Sequence, residues 1–346
     1  MAVEYRKLGS TGVSVSPLCL GAMMFGAWGN DDHEECARII HRALAAGVNF
    51  IDTADVYSRG ESEEIVGKAL ADGRRDSVVL ATKVHGTMHD EDPNQFGNSR
   101  RWIVKEVENS LRRLKTDWID LYQIHRPEPD TDVDQTLSAL SDLVRAGKVR
   151  AIGSSTFPAW QIVQAQWVAQ RRARERFICE QPPYSILIRS IEADVLPACE
   201  QYGMGVIPWS PLAGGWLSGR YGRDSGESPG SSRRAERLPS RYDMSIPANQ
   251  RKLEVVGQLG ELAQQSGMTL IEMAIAFVIR HRAVTAAIIG PRTMEHLQSQ
   301  LPAADRELDA QLLARIDEIV PPGTNVNQLD RGWDPPWLAD PSLQRR

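Results

Sequence analysis

The chain has 346 residues, 42% of them hydrophobic, with a formal net charge of -5. That length holds one large barrel or two ordinary domains, and the apolar share is enough for a sizeable core. The charge lends nothing to non-specific nucleic-acid binding, and no run of ~18 apolar residues offers a membrane span.

The first residues, MAVEYRKLGS, lack the apolar centre of a signal peptide. Next comes RKLGSTGVSVSP, which reads as a β-hairpin turning at Ser10-Thr11-Gly12. Short apolar runs then recur, giving candidate strands at residues 18–20, 48–52, 78–82, 119–125, 149–153, 177–181, 205–209 and 287–290. Amphipathic segments separate them, at 34–46, 61–71, 101–115, 134–146, 160–170 and 191–202. In the third of these, Ile103, Val107, Ser110, Leu111 and Leu114 fall at helical spacing. Strands alternating with helices indicate parallel βαβ units, and eight units suit a closed (β/α)8 TIM barrel. A doubly wound open sheet is the competitor, but no GxGxxG follows a strand. The hairpin is placed to plug the N-terminal end of such a barrel.

Residues 220–246 are rich in Gly, Ser, Pro and Arg and lack apolar periodicity, so they read as a long loop after the seventh strand. Helices follow at 250–265 and 270–280, and the chain closes in an irregular tail from Pro321. No domain boundary is evident, so residues 1–346 are read as one domain. Cys19, Cys36, Cys179 and Cys199 lie far apart with no CxxC pair, which argues for free thiols in a reducing compartment. A cytoplasmic protein without nucleic-acid or membrane partners is expected; composition leaves the oligomeric state open.

In a (β/α)8 barrel the reactive groups stand at the C-terminal strand ends. Here those ends carry Asp52, Lys83, His125, Ser155 with Thr156, Gln181, Trp209 with Ser210, and Gly290-Pro291-Arg292. A polar residue at one strand end is ordinarily a turn or cap residue; so many on one rim point to a site. A free tyrosine has pKa about 10, and a nearby ammonium stabilises its phenolate. Lys83 can supply that charge, Asp52 can anchor Lys83, and Tyr57 becomes a proton donor to a carbonyl oxygen that His125 helps orient. The histidines of HGTMHDED, His85 and His89, sit beside Asp90 and Asp92; a polar surface loop explains them as well as a metal site does. No metal is therefore expected. His85 and Trp28 are candidates to face a substrate.

DTADVYSRGESEEIVGKAL, VLATKV, LYQIHRPEP and PWSPLAGGWLSGRY resemble the aldo-keto reductase superfamily, on its bacterial and potassium-channel β-subunit-like branch. The likeness runs from LGSTGVSVSPLCLGAMMFG to IIGPRTMEHLQSQL. It implies a (β/α)8 barrel that reduces a small-molecule carbonyl with NADPH, and it places the family's catalytic tetrad on Asp52, Tyr57, Lys83 and His125. By the same likeness the nicotinamide carboxamide falls to Ser155, Thr156 and Gln181, with Thr156 where Asn is common, and the nicotinamide ring to Trp209. The pyrophosphate falls to Ser210, Pro211, Leu212, Gly214 and Arg220. Gly21, Ala22 and Met23 make the first strand-end contact, with Ala22 replacing a common Thr. The adenosine end falls to Gly290, Arg292, His296 and Gln300, with Arg292 suited to grip the 2′-phosphate. His296 stands where Gln is frequent, and Gln300 where Asn is. The resemblance leaves two other functions open: a cofactor-binding regulatory subunit of the channel-β type, and a sugar-modifying reductase or dehydrogenase of a biosynthetic pathway. The net-basic loop 220–246 leaves the barrel at the catalytic rim and is either a lid or a passive insertion.

Overall fold

The computed structural model describes residues 4–221, 229–231 and 233–343. A hairpin opens the described chain, β1 (Arg6–Lys7) paired antiparallel with β2 (Ser14–Val15). Its turn closes through Leu8 N donating to Val13 O at 2.9 Å. Gly9 has φ +52°, and a Cβ there would lie 2.5 Å from Ile178 O, so only glycine lets the hairpin press this closely on the barrel floor. Leu8 and Val15 join Cys19, Phe50, Ala81, Leu121, Cys179 and Ile207 in one buried cluster, which plugs the N-terminal end.

Eight parallel strands follow: β3 (Leu18–Gly21), β4 (Phe50–Asp52), β5 (Val79–Val84), β6 (Ile119–Ile124), β7 (Val149–Ser155), β8 (Cys179–Gln181), β9 (Gly205–Val206) and β10 (Ala287–Ile289). The helices are α1 (His33–Ala45), α2 (Glu61–Ala69), α3 (Arg100–Leu114), α4 (Val133–Arg145), α5 (Ala159–Arg172), α6 (Val195–Gln201), α7 (Arg233–Arg237), α8 (Pro247–Gln265), α9 (Leu270–Arg280), α10 (Met294–Gln300), α11 (Ala310–Ile319) and α12 (Pro336–Ala339). The strands lie in the order β10-β3-β4-β5-β6-β7-β8-β9. Thr285 N donates to Val206 O at 2.8 Å and Ile288 N to Pro208 O at 2.9 Å, so the last strand bonds to β9 and the sheet closes. Sequential order without reversal is that of a (β/α)8 barrel, and the doubly wound alternative falls away.

The run at 205–209 is a ladder strand only over Gly205–Val206 because Pro208 has no N–H to offer. A second apolar layer, between the barrel and its helices, holds Ile39, Trp102, Val107, Leu140, Ile162 and Met273. Strand and helix caps are conventional: Asp32, Ser99, Asp132 and Thr269 each accept a backbone N–H of the helix they precede. Among the described residues no single helix is long and apolar enough to cross a membrane.

The loop read from composition at 220–246 contains short helical turns, Pro229–Ser231, α7 and Pro239–Arg241. Two apolar residues anchor it. Ala235 is buried, and Tyr242 stacks on Trp216 with ring centroids 5.7 Å apart. Beneath them Lys252 lies 4.5 Å from the Trp216 ring centroid and pairs with Asp330 at 2.8 Å, which also fastens the C-terminal tail to α8. A turn from Gln328 to Arg331 and the short α12 give that tail local order.

Candidate active site

The site is built at the C-terminal rim, where β4 to β8 each end in or beside a polar side chain. Asp52 closes β4 and Lys83 lies one residue before the end of β5. The segment between Asp52 and α2 is bonded across to β5 through Thr53 N to Ala81 O (3.0 Å) and Asp55 N to Lys83 O (3.1 Å). It then turns through Ser58, Arg59 and Gly60, all with positive φ. Gly60 is required there: a Cβ would lie 2.6 Å from Arg113 Cδ. This left-handed run swings Tyr57 back over the barrel mouth.

Lys83 is fully buried and its ammonium has three protons and three acceptors. Nζ donates to Asp52 Oδ2 at 2.6 Å, to Thr53 O at 2.7 Å and to Tyr57 OH at 3.2 Å. Burial pushes Lys83 down, but Asp52 and then Tyr57 outweigh it and hold the lysine above its ordinary value, hence charged. Asp52 Oδ1, the other carboxylate oxygen, accepts from Gln123 Nε2 (3.1 Å) and Gln181 Nε2 (2.9 Å). Because Lys83 donates to the phenol oxygen, the phenol proton is left to point elsewhere.

His125 follows β6, and its ring meets Tyr57 edge-on with centroids 5.6 Å apart. Burial, then Arg126, Lys83 and His85, push it well below the usual imidazole value, so it is neutral at physiological pH. The Trp28 ring centroid stands 6.0 Å from that of Tyr57. Arg237, from α7, lies 5.1 Å above the Trp28 ring. The described part of the 220–246 segment therefore already reaches the mouth of the pocket. His85 Nδ1 is 2.9 Å from Asn98 Oδ1 and its ring packs on Phe96. Asp90 pairs with Arg59 at 2.9 Å.

The cofactor candidates divide by their partners. Ser155 Oγ donates to Gln181 O at 2.9 Å. Thr156, with φ 62°, has its hydroxyl taken by Arg126 Nη1 (3.2 Å) and Trp209 Nε1 (3.4 Å). Gln181 gives its NH₂ to Asp52 and Gln123, and its Oε1 accepts nothing from the described residues. Ala22 is buried and offers only its backbone, whose N–H bonds to Asp52 O at 2.8 Å. Beside it Gly21 pairs with Asp52 in the sheet and leads into Met23. Ser210, with φ 59°, turns the chain after Trp209 into Pro211, Leu212 and the short helical turn that contains Gly214. At the far end Arg292 and Arg220 both push His296 below its ordinary value, after burial, so the three share one neighbourhood. No carboxylate among the described residues lies within ion-pair distance of Arg292. Gln300 is 6% exposed and its Oε1 is buried with no hydrogen bond. Gly290 has nothing within 4 Å of where a Cβ would stand.

Reading strand ends missed Gln123, Asn98, Arg126 and Arg237. Gln123 carried a usable signal, a long amide two residues after Leu121 and two before His125, so on the same face of β6 as both. The other three act through contacts distant in sequence and had none.

A closed parallel barrel thus carries a buried Lys–Asp pair touching a tyrosine at its C-terminal rim. The aldo/keto reductase family model matches residues 17–321, and the chain belongs to that family. It is similar to the uncharacterized oxidoreductase YrpG of Bacillus subtilis, 40% identical over 92% of this chain and 96% of that one. A putative voltage-gated potassium channel subunit beta of Schizosaccharomyces pombe is 31% identical over 92% of this chain and 93% of its own. Versiconal hemiacetal acetate reductase of Aspergillus parasiticus is 32% identical, covering 91% and 96% respectively.

Proposed function

We propose that the protein is an NADPH-dependent reductase of small aldehydes or ketones, with Tyr57 as general acid. The observation that carries this reading is Lys83 Nζ held between Asp52 at 2.6 Å and Tyr57 OH at 3.2 Å. The fixed charge of Lys83 stabilises a phenolate as Tyr57 gives up its proton, and the three acceptors around Nζ keep that charge in place. His125, neutral, offers an N–H to the same carbonyl oxygen. Trp28 and Tyr57 give the acceptor site aromatic walls.

The residues fit a dinucleotide. Among the described residues Gln300 Oε1 is a buried acceptor without a donor, Arg292 has no ion-pair partner, and Gln181 keeps an open carbonyl beside the tetrad. Gln181 and Ser155 would hold the carboxamide, Trp209 the ring, and Arg292 the 2′-phosphate. When bound, the reduced nicotinamide supplies the hydride. The names of relatives also raise a channel-associated regulatory role. His125, present beside the Asp52–Lys83–Tyr57 array, favours catalysis. Four buried free cysteines support a reducing, cytoplasmic setting.

The test is NADPH consumption with a panel of aldehydes, ketones, quinones and keto-sugars, run on the wild type and Tyr57→Phe. Turnover by the wild type that persists undiminished in the phenylalanine variant removes Tyr57 from the chemistry. Binding of NADPH with no turnover on any carbonyl favours the regulatory role.

A further inference from the structure

We infer that Gln123 is a positioning residue that joins the proton donor to the nicotinamide, by fixing the Gln181 amide while it holds Asp52 in place. This rests on the NADPH reading above. Gln123 is fully buried in the barrel, on β6. Its Nε2 donates to Asp52 Oδ1 at 3.1 Å, and its Oε1 accepts from Gln181 Nε2 at 3.2 Å. Gln181 Nε2 also donates to Asp52 Oδ1, at 2.9 Å.

The orientation of both amides follows from charge. Asp52 is paired with Lys83 and is therefore a carboxylate, which only accepts. Each glutamine must turn its NH₂ toward it. Gln181 then has one hydrogen on Asp52 and the other on Gln123 Oε1. Its own Oε1 is left as the only outward group, an acceptor matched to the NH₂ of a carboxamide. Without Gln123, one hydrogen of Gln181 loses its partner and the amide is free to rotate. Asp52 loses one of the two donors on Oδ1 in the same step. Core packing does not call for this residue: an apolar side chain of the same length fills an interior barrel position, and a buried amide is costly unless its hydrogen bonds are made.

The experiment compares wild type, Gln123→Met, Gln181→Met and the double variant, each first shown to be folded by circular dichroism. Binding is measured for NADPH and for 2′,5′-ADP, a fragment that carries the adenosine phosphates and no nicotinamide. Loss of one buried hydrogen bond predicts NADPH weakened roughly 5- to 20-fold in Gln123→Met, with fragment affinity unchanged. The double variant is then no weaker than Gln181→Met alone, because the two residues act as one unit. Unchanged NADPH affinity, or equal weakening of NADPH and fragment, overturns the inference. If Gln123→Met does not fold, Gln123→Glu replaces it. That variant keeps an acceptor for Gln181 and sets a second carboxylate beside Asp52, so the pH profile of kcat/KM shifts while NADPH affinity is nearly kept. An unmoved pH profile in that variant overturns the inference equally. A wild type that binds the fragment but gains nothing from the nicotinamide half sinks the inference alone. A wild type that binds neither rejects the cofactor reading itself.

Discussion

The two ends of the rim differ in how completely the chain satisfies itself. At the Asp52–Lys83–Tyr57 end the Lys83 ammonium and both carboxylate oxygens of Asp52 have partners from the chain, at 2.6 to 3.2 Å. At the Arg292–Gln300 end, among the described residues, a buried oxygen has no donor and a guanidinium has no carboxylate within ion-pair distance. The first end is preorganised, as a group that must stabilise developing charge has to be. The second is open, as a surface that a ligand completes has to be. Substitutions at the first end should therefore damage folding and chemistry together. Those at the second should damage binding alone.

The largest expected effect is at the closed end. Lys83→Met leaves Asp52 as a buried carboxylate without its cation. A loss of about 3–5 kcal/mol in stability is expected, the scale for breaking a buried pair from one side, together with loss of activity. Denaturant titration checks it, and adding Asp52→Asn should restore most of the stability and none of the activity. A stable, active Lys83→Met protein would break the contrast between the ends.

Tyr57→Phe keeps the ring and removes the proton, so a rate loss of roughly 10²–10⁴ is expected with NADPH binding nearly unchanged. Single-turnover kinetics alongside NADPH titration separate the two quantities.

At the open end, Arg292→Ala should weaken NADPH by ~2–3 kcal/mol, the scale of a charge-assisted hydrogen bond, while NADH binding and melting temperature barely move. Equal losses for both cofactors would show that Arg292 does not read the 2′-phosphate.

The smallest effect lies between the ends, beneath Thr156. Glu180 is fully buried, accepts from Phe157 N at 3.0 Å and from the Ser154 hydroxyl, and burial raises it to about 7 from 4.5. A carboxyl raised in the folded state stabilises most below its unfolded value, and that contribution is lost as pH rises from 4.5 toward 7. Glu180→Gln should therefore gain on the order of 2 kcal/mol relative to wild type above neutrality, and little near pH 4. Parallel thermal melts across that range test it; a constant difference at every pH would mean Glu180 does not titrate there.

The sequence by itself determined the barrel and marked the polar residues that gather at its rim. Parallel strands buried on both faces must be apolar along their length, so Phe50-Ile51 before Asp52 and Val79-Leu80-Ala81 before Lys83 mark both the strands and their polar ends. The hairpin was legible for a similar local reason, its turn residues. Tertiary structure alone decided what those ends touch. That Gln123 and Gln181 share one oxygen of Asp52 depends on the register of β4, β6 and β8, which no local pattern encodes. Nor does composition place Arg237 over Trp28, or fasten the 220–246 segment by Tyr242 on Trp216 and the tail by Asp330 on Lys252. Local residue patterns set each strand and what it ends in; hydrogen bonds and ring contacts form only where folding has brought distant segments to the same place.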